Sequence, residues 1–143
     1  MPYPSLLVQP FRDELTRIGF KELLTTAHVD EFMRDKTGTT LLVINSVCGC
    51  AAGKARPGVR IALEQSHRPD RMGTVLAGQD LEATEQARSY FANIPPSSPS
   101  LALFKDGELA YFMPRSEIEG RDAEAIARDL QEVFSQHCAA VNA

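Results

Sequence analysis

The chain has 143 residues, with 15 Lys and Arg against 19 Asp and Glu and a formal net charge of −4. That balance argues against a nucleic-acid backbone as partner, and the length is enough for one domain that folds without disulfide staples. With 43% hydrophobic and 24% charged residues, the composition is that of a globular chain and excludes disorder and collagen-like repeats. Apolar runs such as Leu41 to Ile44 fall far short of the roughly 20 residues that cross a bilayer, so no membrane partner is expected. The start, Met1-Pro2-Tyr3-Pro4, lacks the basic region and apolar run of a secretory signal. Export is therefore not expected, and a reducing cytoplasm is the expected location.

Residues 1–143 read as a single domain in which residues 1–37 form a helical extension. Phe11, Leu15 and Ile18 recur at helical spacing, and Val29, Phe32 and Met33 do so behind a Thr26 cap, so two amphipathic helices are expected before the first strand. Thr39 to Asn45 is a β-branched, nearly continuous apolar run between Gly38 and Ser46, the pattern of a parallel strand buried on both faces. Ala52, Ala55, Val59, Ala62 and Leu63 then define one face of a helix over 51–66, with a kink at Pro57. A second strand is expected from Met72 to Ala77, and a helix capped by Asp80 carries Leu81, Thr84, Ala87 and Phe91. Ser100 to Lys105 and Glu108 to Met113 flank Asp106-Gly107, a strong hairpin signal. The last helix spans 122–137, with Ile126, Leu130, Val133 and Phe134 on one face. A β-α-β unit, a connecting helix, a hairpin and a closing helix specify an α/β fold with a central mixed sheet flanked by helices, a thioredoxin-like arrangement.

Three cysteines, Cys48, Cys50 and Cys138, are too few and too odd in number for a disulfide framework. Cys48-Gly49-Cys50 falls between the carboxyl end of a buried strand and the amino end of a helix. Unpaired N–H groups and the helix dipole favour a thiolate there, the form that attacks a disulfide. Cys48, nearer the loop apex, is expected to be the nucleophile and Cys50 the resolving thiol. Lys54 lies one helical turn after Cys50 and Arg56 follows; either cation could further favour thiolates, and their ordinary reading is a solvated helix face. Cys138 reads as a small inert core residue. A soft zinc or copper(I) site is the competing use of the two thiols, but it needs more ligands than the scattered His28, His67 and His137 offer, so no metal is expected.

The stretch Ser98-Pro99-Ser100-Leu101-Ala102-Leu103-Phe104-Lys105-Asp106-Gly107-Glu108 resembles the thioredoxin-superfamily segment in which a cis-proline opens a strand leading into a hairpin. On that match Pro99, preceded by Ser98, is the cis-proline, and the two residues shape the substrate groove. The chain as a whole is similar to the bacilliredoxin A/B family. The resemblance is carried by Val43 through Pro57 with its Cys-Gly-Cys, Ala77-Gly78-Gln79-Asp80, Pro96-Ser97-Ser98-Pro99-Ser100, Pro114-Arg115 and Glu117-Ile118-Glu119-Gly120. It implies thiol-disulfide exchange without a bound cofactor. In particular it implies removal of bacillithiol, the low-molecular-weight thiol co-substrate, from S-thiolated cytosolic proteins, and disulfide isomerase activity is attributed to the family as well. By motif position Cys48 attacks the mixed disulfide, and release follows through Cys50 or a second thiol molecule. The chain has no Trp, and its spacing is Cys-x-Cys rather than Cys-x-x-Cys, so the aromatic shield of ordinary thioredoxins is missing. Three other readings remain: a general disulfide isomerase or reductase, a metallochaperone, and a redox-inert interaction domain.

Overall fold

The computed structural model describes residues 3–140; Met1 and Pro2, read above for a secretory signal, and residues 141–143 lie outside the described residues. The elements follow in the order α1 (Ser5–Thr16), β1 (Lys21–Glu22), α2 (Thr26–Arg34), β2 (Thr39–Asn45), a π-helical turn (Ala51–Ala55) continuing into α3 (Arg56–Ala62), β3 (Arg71–Leu76), α4 (Leu81–Ser89), β4 (Ser100–Lys105), β5 (Glu108–Met113), α5 (Arg115–Ile118) and α6 (Ala123–His137). The strands form one sheet in the order β1-β3-β2-β4-β5, parallel across β1, β3 and β2 and antiparallel from β2 through β4 to β5.

Every residue of β2 is buried, because the strand is central and covered on both faces. Alternate side chains go to opposite cores. Leu41 and Val43 join Val59 of α3 and Ile126, Leu130 and Phe134 of α6. Leu42 and Ile44 meet Val29 and Phe32 of α2 and Ala83 and Ala87 of α4. The expected hairpin forms with φ of 51° at Asp106 and 86° at Gly107, the left-handed pair that a two-residue turn between twisted strands requires.

Three local expectations are corrected. A two-residue strand, β1, separates the first two helices and pairs in parallel with β3, so α2 covers the sheet and only α1 precedes it. Two residues carry too little periodicity to be read from sequence. The hydroxyl that accepts from the His28 N–H at the start of α2 belongs to Thr25, not Thr26. Asp80 precedes α4 without a side-chain capping bond. Its carboxylate instead takes two hydrogen bonds from Arg12 of α1, at 2.8 and 2.7 Å, and Arg12 also reaches Glu22 at 3.1 Å. That pairing moors α1 to the carboxyl end of the parallel strands.

Pro57 does not end its helix. It has no N–H and its ring crowds the carbonyl four residues back, and the chain accommodates it by a wider turn, Ala51–Ala55, immediately before. Downstream, α3 lies close against α6. A Cβ built on Gly58 would stand 2.8 Å from Ile126 Cγ2 and 3.3 Å from the Ala123 carbonyl oxygen. Gly58→Ala is therefore expected to destabilise the fold by about 1–3 kcal/mol through overpacking, read as a lower urea midpoint at unchanged slope.

Candidate active site

The fold brings three strand ends to one end of the sheet. Ile44 of β2 pairs with Ser100 of β4, and Leu101 of β4 pairs with Met113 of β5. The chain leaving β2 toward Cys48, the chain entering β4 at Ser98-Pro99 and the chain leaving β5 at Pro114-Arg115 are thus neighbours. The Ser98–Pro99 peptide bond is cis. Cys48, Cys50, Ser98 and Pro99, separated by about fifty positions in sequence, belong to one locus.

Cys48 and Cys50 are both half-buried free thiols. The Cys48 carbonyl accepts from the N–H groups of Ala51 and Ala52, each at 3.1 Å, which closes the loop into the helical turn. Ser46 is the immediate partner of the sulfur. Its Oγ accepts from the Cys48 N–H at 3.3 Å and lies 3.0 Å from Cys48 Sγ. A thiolate has no proton to give, so in that state the serine hydroxyl is the donor. Burial alone would push the Cys48 thiol up. Hydrogen bonding from Ser46, the backbone N–H groups of Ala51 and Cys50 and the charge of Arg115 outweigh it, and the thiol lies below its ordinary value. The sign follows directly: a depressed value enlarges the thiolate fraction near neutral pH.

Beneath the loop lies a buried polar layer that corrects the reading of Arg56 as part of a solvated face. The Arg56 side chain is 1% exposed. Its Nε donates to Glu14 of α1 at 2.5 Å, and its Nη1 donates to the Ser46 carbonyl at 2.7 Å and to Asn45 Oδ1 at 2.9 Å. Asn45 Oδ1 also accepts from the Ser46 N–H at 2.9 Å, and Asn45 Nδ2 donates to the Phe11 carbonyl at 3.1 Å. The guanidinium carbon lies 5.0 Å from the centre of the Phe11 ring. Arg56 thereby fixes the backbone two residues before the nucleophile candidate and joins it to α1. Where α1 passes the loop, Tyr3, Leu7, Val8, Phe11 and Val47 line an open apolar groove of about 260 Å3.

Cys138 lies elsewhere. It ends α6, is buried in the core, and its thiol is pushed up by that burial. Its carbonyl is 2.8 Å from His67 Nδ1. His28 Nδ1 accepts from the Leu24 N–H at 3.2 Å, a local bond beside α2. Among the described residues no group of three or more His, Cys, Asp or Glu is placed to hold a metal ion.

Two contributors escaped the sequence reading. Ser46 gave no signal beyond bounding a strand. Arg115 sits in a recognised segment, but only the strand pairing shows that the end of β5 faces the cysteine loop.

Comparison with solved structures gives the fold its name. The thioredoxin of Fasciola hepatica superposes with a TM-score of 0.53 at 15% identity, covering 82% of this chain and 99% of that one. A single-residue mutant of a Halobacterium salinarum thioredoxin gives 0.54 at 18% identity, covering 85% and 92%. A family profile described as disulphide isomerase matches residues 3–138. Fold and family together define a thiol-disulfide oxidoreductase of thioredoxin fold. A bacilliredoxin of Salinibacter ruber is 57% identical over 140 residues, 96% of this chain and 82% of that protein. One of Halalkalibacterium halodurans is 54% identical over 136 residues, 95% and 94% respectively. The chain belongs to the bacilliredoxin family. Among the described residues no helix is long and apolar enough to cross a membrane.

Proposed function

We propose that the protein reduces mixed disulfides between proteins and a low-molecular-weight thiol, bacillithiol, with Cys48 as the attacking sulfur and Cys50 as the resolving one. The observation that carries this reading is the Cys48 thiol held below its ordinary value by Ser46 and the helix start, at the end of the sheet where Ser98-Pro99 enters β4. The thiolate pair of Cys48 forms a bond to the bacillithiol sulfur, and the electrons of the broken S–S bond leave on the protein thiolate. Cys50 then attacks Cys48, which expels bacillithiol as its thiolate and leaves a Cys48–Cys50 disulfide. Alternatively a second bacillithiol attacks the adduct's small-thiol sulfur, which releases the oxidised dimer of the thiol and restores Cys48. No bound cofactor takes part in either route. S-thiolated proteins are the partners, the cytoplasm the setting, and Ser98 and Pro99 the substrate-binding residues, where the start of β4 lies beside an incoming chain.

The test is a trap. Cys50→Ser incubated with a bacillithiolated protein is expected to accumulate one bacillithiol on Cys48, seen by intact-mass and peptide mass spectrometry, while wild type passes to the Cys48–Cys50 disulfide without accumulating it. An adduct on Cys50 of the Cys48→Ser variant, formed at the wild-type rate, overturns the assignment. The disulphide isomerase description of the matching profile supports a second reading, broad isomerase or reductase action. Equal rates on scrambled ribonuclease and on the bacillithiolated protein would favour it.

A further inference from the structure

Arg115 is the first residue of α5, a four-residue helix that begins where β5 ends. Three contacts fix it. Its backbone N–H donates to Ser97 Oγ at 3.2 Å, its Nη1 donates to the Ser98 carbonyl at 3.1 Å, and its Nε donates to Glu119 one helical turn on, at 2.5 Å. The loop that carries the cis Ser98–Pro99 bond is thus bound to Arg115 through both Ser97 and Ser98. The β2–β4 and β4–β5 pairings place the cysteine loop and Arg115 at the same end of the sheet. The side chain is 41% exposed and the Glu119 side chain 53%. An exposed pair contributes little to stability, so the Glu119 pair orients the guanidinium more than it holds the fold together. The charges act in both directions: Arg115 draws the Cys48 thiol down, while Glu119 first, and then Cys48, hold the guanidinium charged.

We infer that Arg115 is a positioning residue for the exchange reaction, the fixed counter-charge of the Cys48 thiolate, braced by Glu119 and by the Ser98 carbonyl so that it also ties that sulfur to the proline loop. The inference rests on Cys48 being the attacking sulfur. When the thiolate becomes part of a disulfide its charge departs with the leaving sulfur, and Arg115 loses its partner. When a second thiol regenerates Cys48 as the leaving group, the negative charge returns to a site already prepared for it. Arg115 therefore favours attack at neutral pH and release of the product in the same way.

The experiment is the pH profile of iodoacetamide alkylation at Cys48, with the modified peptide identified by mass spectrometry, in wild type, Arg115→Gln and Arg115→Lys, at low salt and at high salt. In Arg115→Gln the profile is expected to move to higher pH, with a rate about two- to fivefold lower at pH 7 and equal or greater at pH 10, because a thiolate of higher pKa is the stronger nucleophile. Arg115→Lys keeps the charge and is expected to keep the wild-type midpoint, which a purely geometric role would not predict. Salt is expected to move the wild-type midpoint upward and to leave that of Arg115→Gln in place. A profile unchanged in Arg115→Gln overturns the role of Arg115 while leaving the site intact. A wild-type Cys48 that does not alkylate overturns the reading of the site itself.

Discussion

Cys48→Ser is expected to abolish release of the small thiol from a bacillithiolated protein, by at least about a hundredfold, measured as bacillithiol liberated per minute under excess reductant. A serine hydroxyl stays protonated near neutral pH and does not attack sulfur, whereas a thiolate does. What surrounds position 48 magnifies the loss. Ser46, the N–H groups of Cys50 and Ala51 and the Arg115 charge all act on that sulfur, while Cys50 packs against the core cluster on the helix side. Cys50→Ser is expected to be milder, about tenfold or less with ample small thiol, because a second thiol molecule can take over the release step. The opposite ranking, with Cys50 indispensable and Cys48 dispensable, would exchange their roles.

Arg56→Met is expected to have the largest effect on stability, about 2–4 kcal/mol, read from the urea midpoint at unchanged slope. The substitution keeps much of the packing against Phe11 but leaves the Ser46 carbonyl without its donor and the Glu14 carboxylate without its cation. A buried acceptor deprived of its partner costs roughly 1–3 kcal/mol. Removal of one member of a buried ion pair costs about 3–5 kcal/mol, and this is discounted here because the Glu14 side chain is 43% exposed. A midpoint equal to that of wild type would show the buried layer to be dispensable. The same variant is expected to slow alkylation of Cys48, since Ser46 is then free to leave the sulfur.

The sheet was legible because its signals are local. A seven-residue β-branched run bounded by Gly38 and Ser46, a hairpin with Asp106-Gly107 at its tip and an apolar stripe from Ile126 to Phe134 each state their own conformation. The Cys-Gly-Cys between strand and helix was legible for the same reason, as a contiguous pattern, whereas the cis bond at Pro99 was expected from the resemblance of its segment to the thioredoxin superfamily. What stayed hidden depends on long-range pairing. Strand β1 exists because β3 gives it an edge. Asp80 was read as a cap because nothing near it in sequence shows that Arg12, 68 positions away, reaches its carboxylate. Arg56 looked like one more cation on an amphipathic helix. Its burial is decided by α1 and by Asn45, which accept from its Nε and Nη1 from two other elements, while its Nη2 is buried without a hydrogen-bond partner. Arg115 became visible only through the pairing that brings the end of β5 to the same end of the sheet as the end of β2, with β4 between them.

The position of Cys138 sets the electron capacity of the molecule. Its carbonyl bonds to His67, just ahead of the start of β3, while Cys48 follows the far end of β2, and the two strands run parallel with Thr40 opposite Arg71. A seven-residue strand spans roughly 20 Å, whereas a disulfide needs Cα atoms within about 7 Å. Cys138 is therefore out of reach of Cys48 and Cys50, and its buried thiol does not compete for oxidant. Under the proposed assignment, intramolecular oxidation is thus confined to Cys48 and Cys50, one dithiol–disulfide couple that stores two electrons.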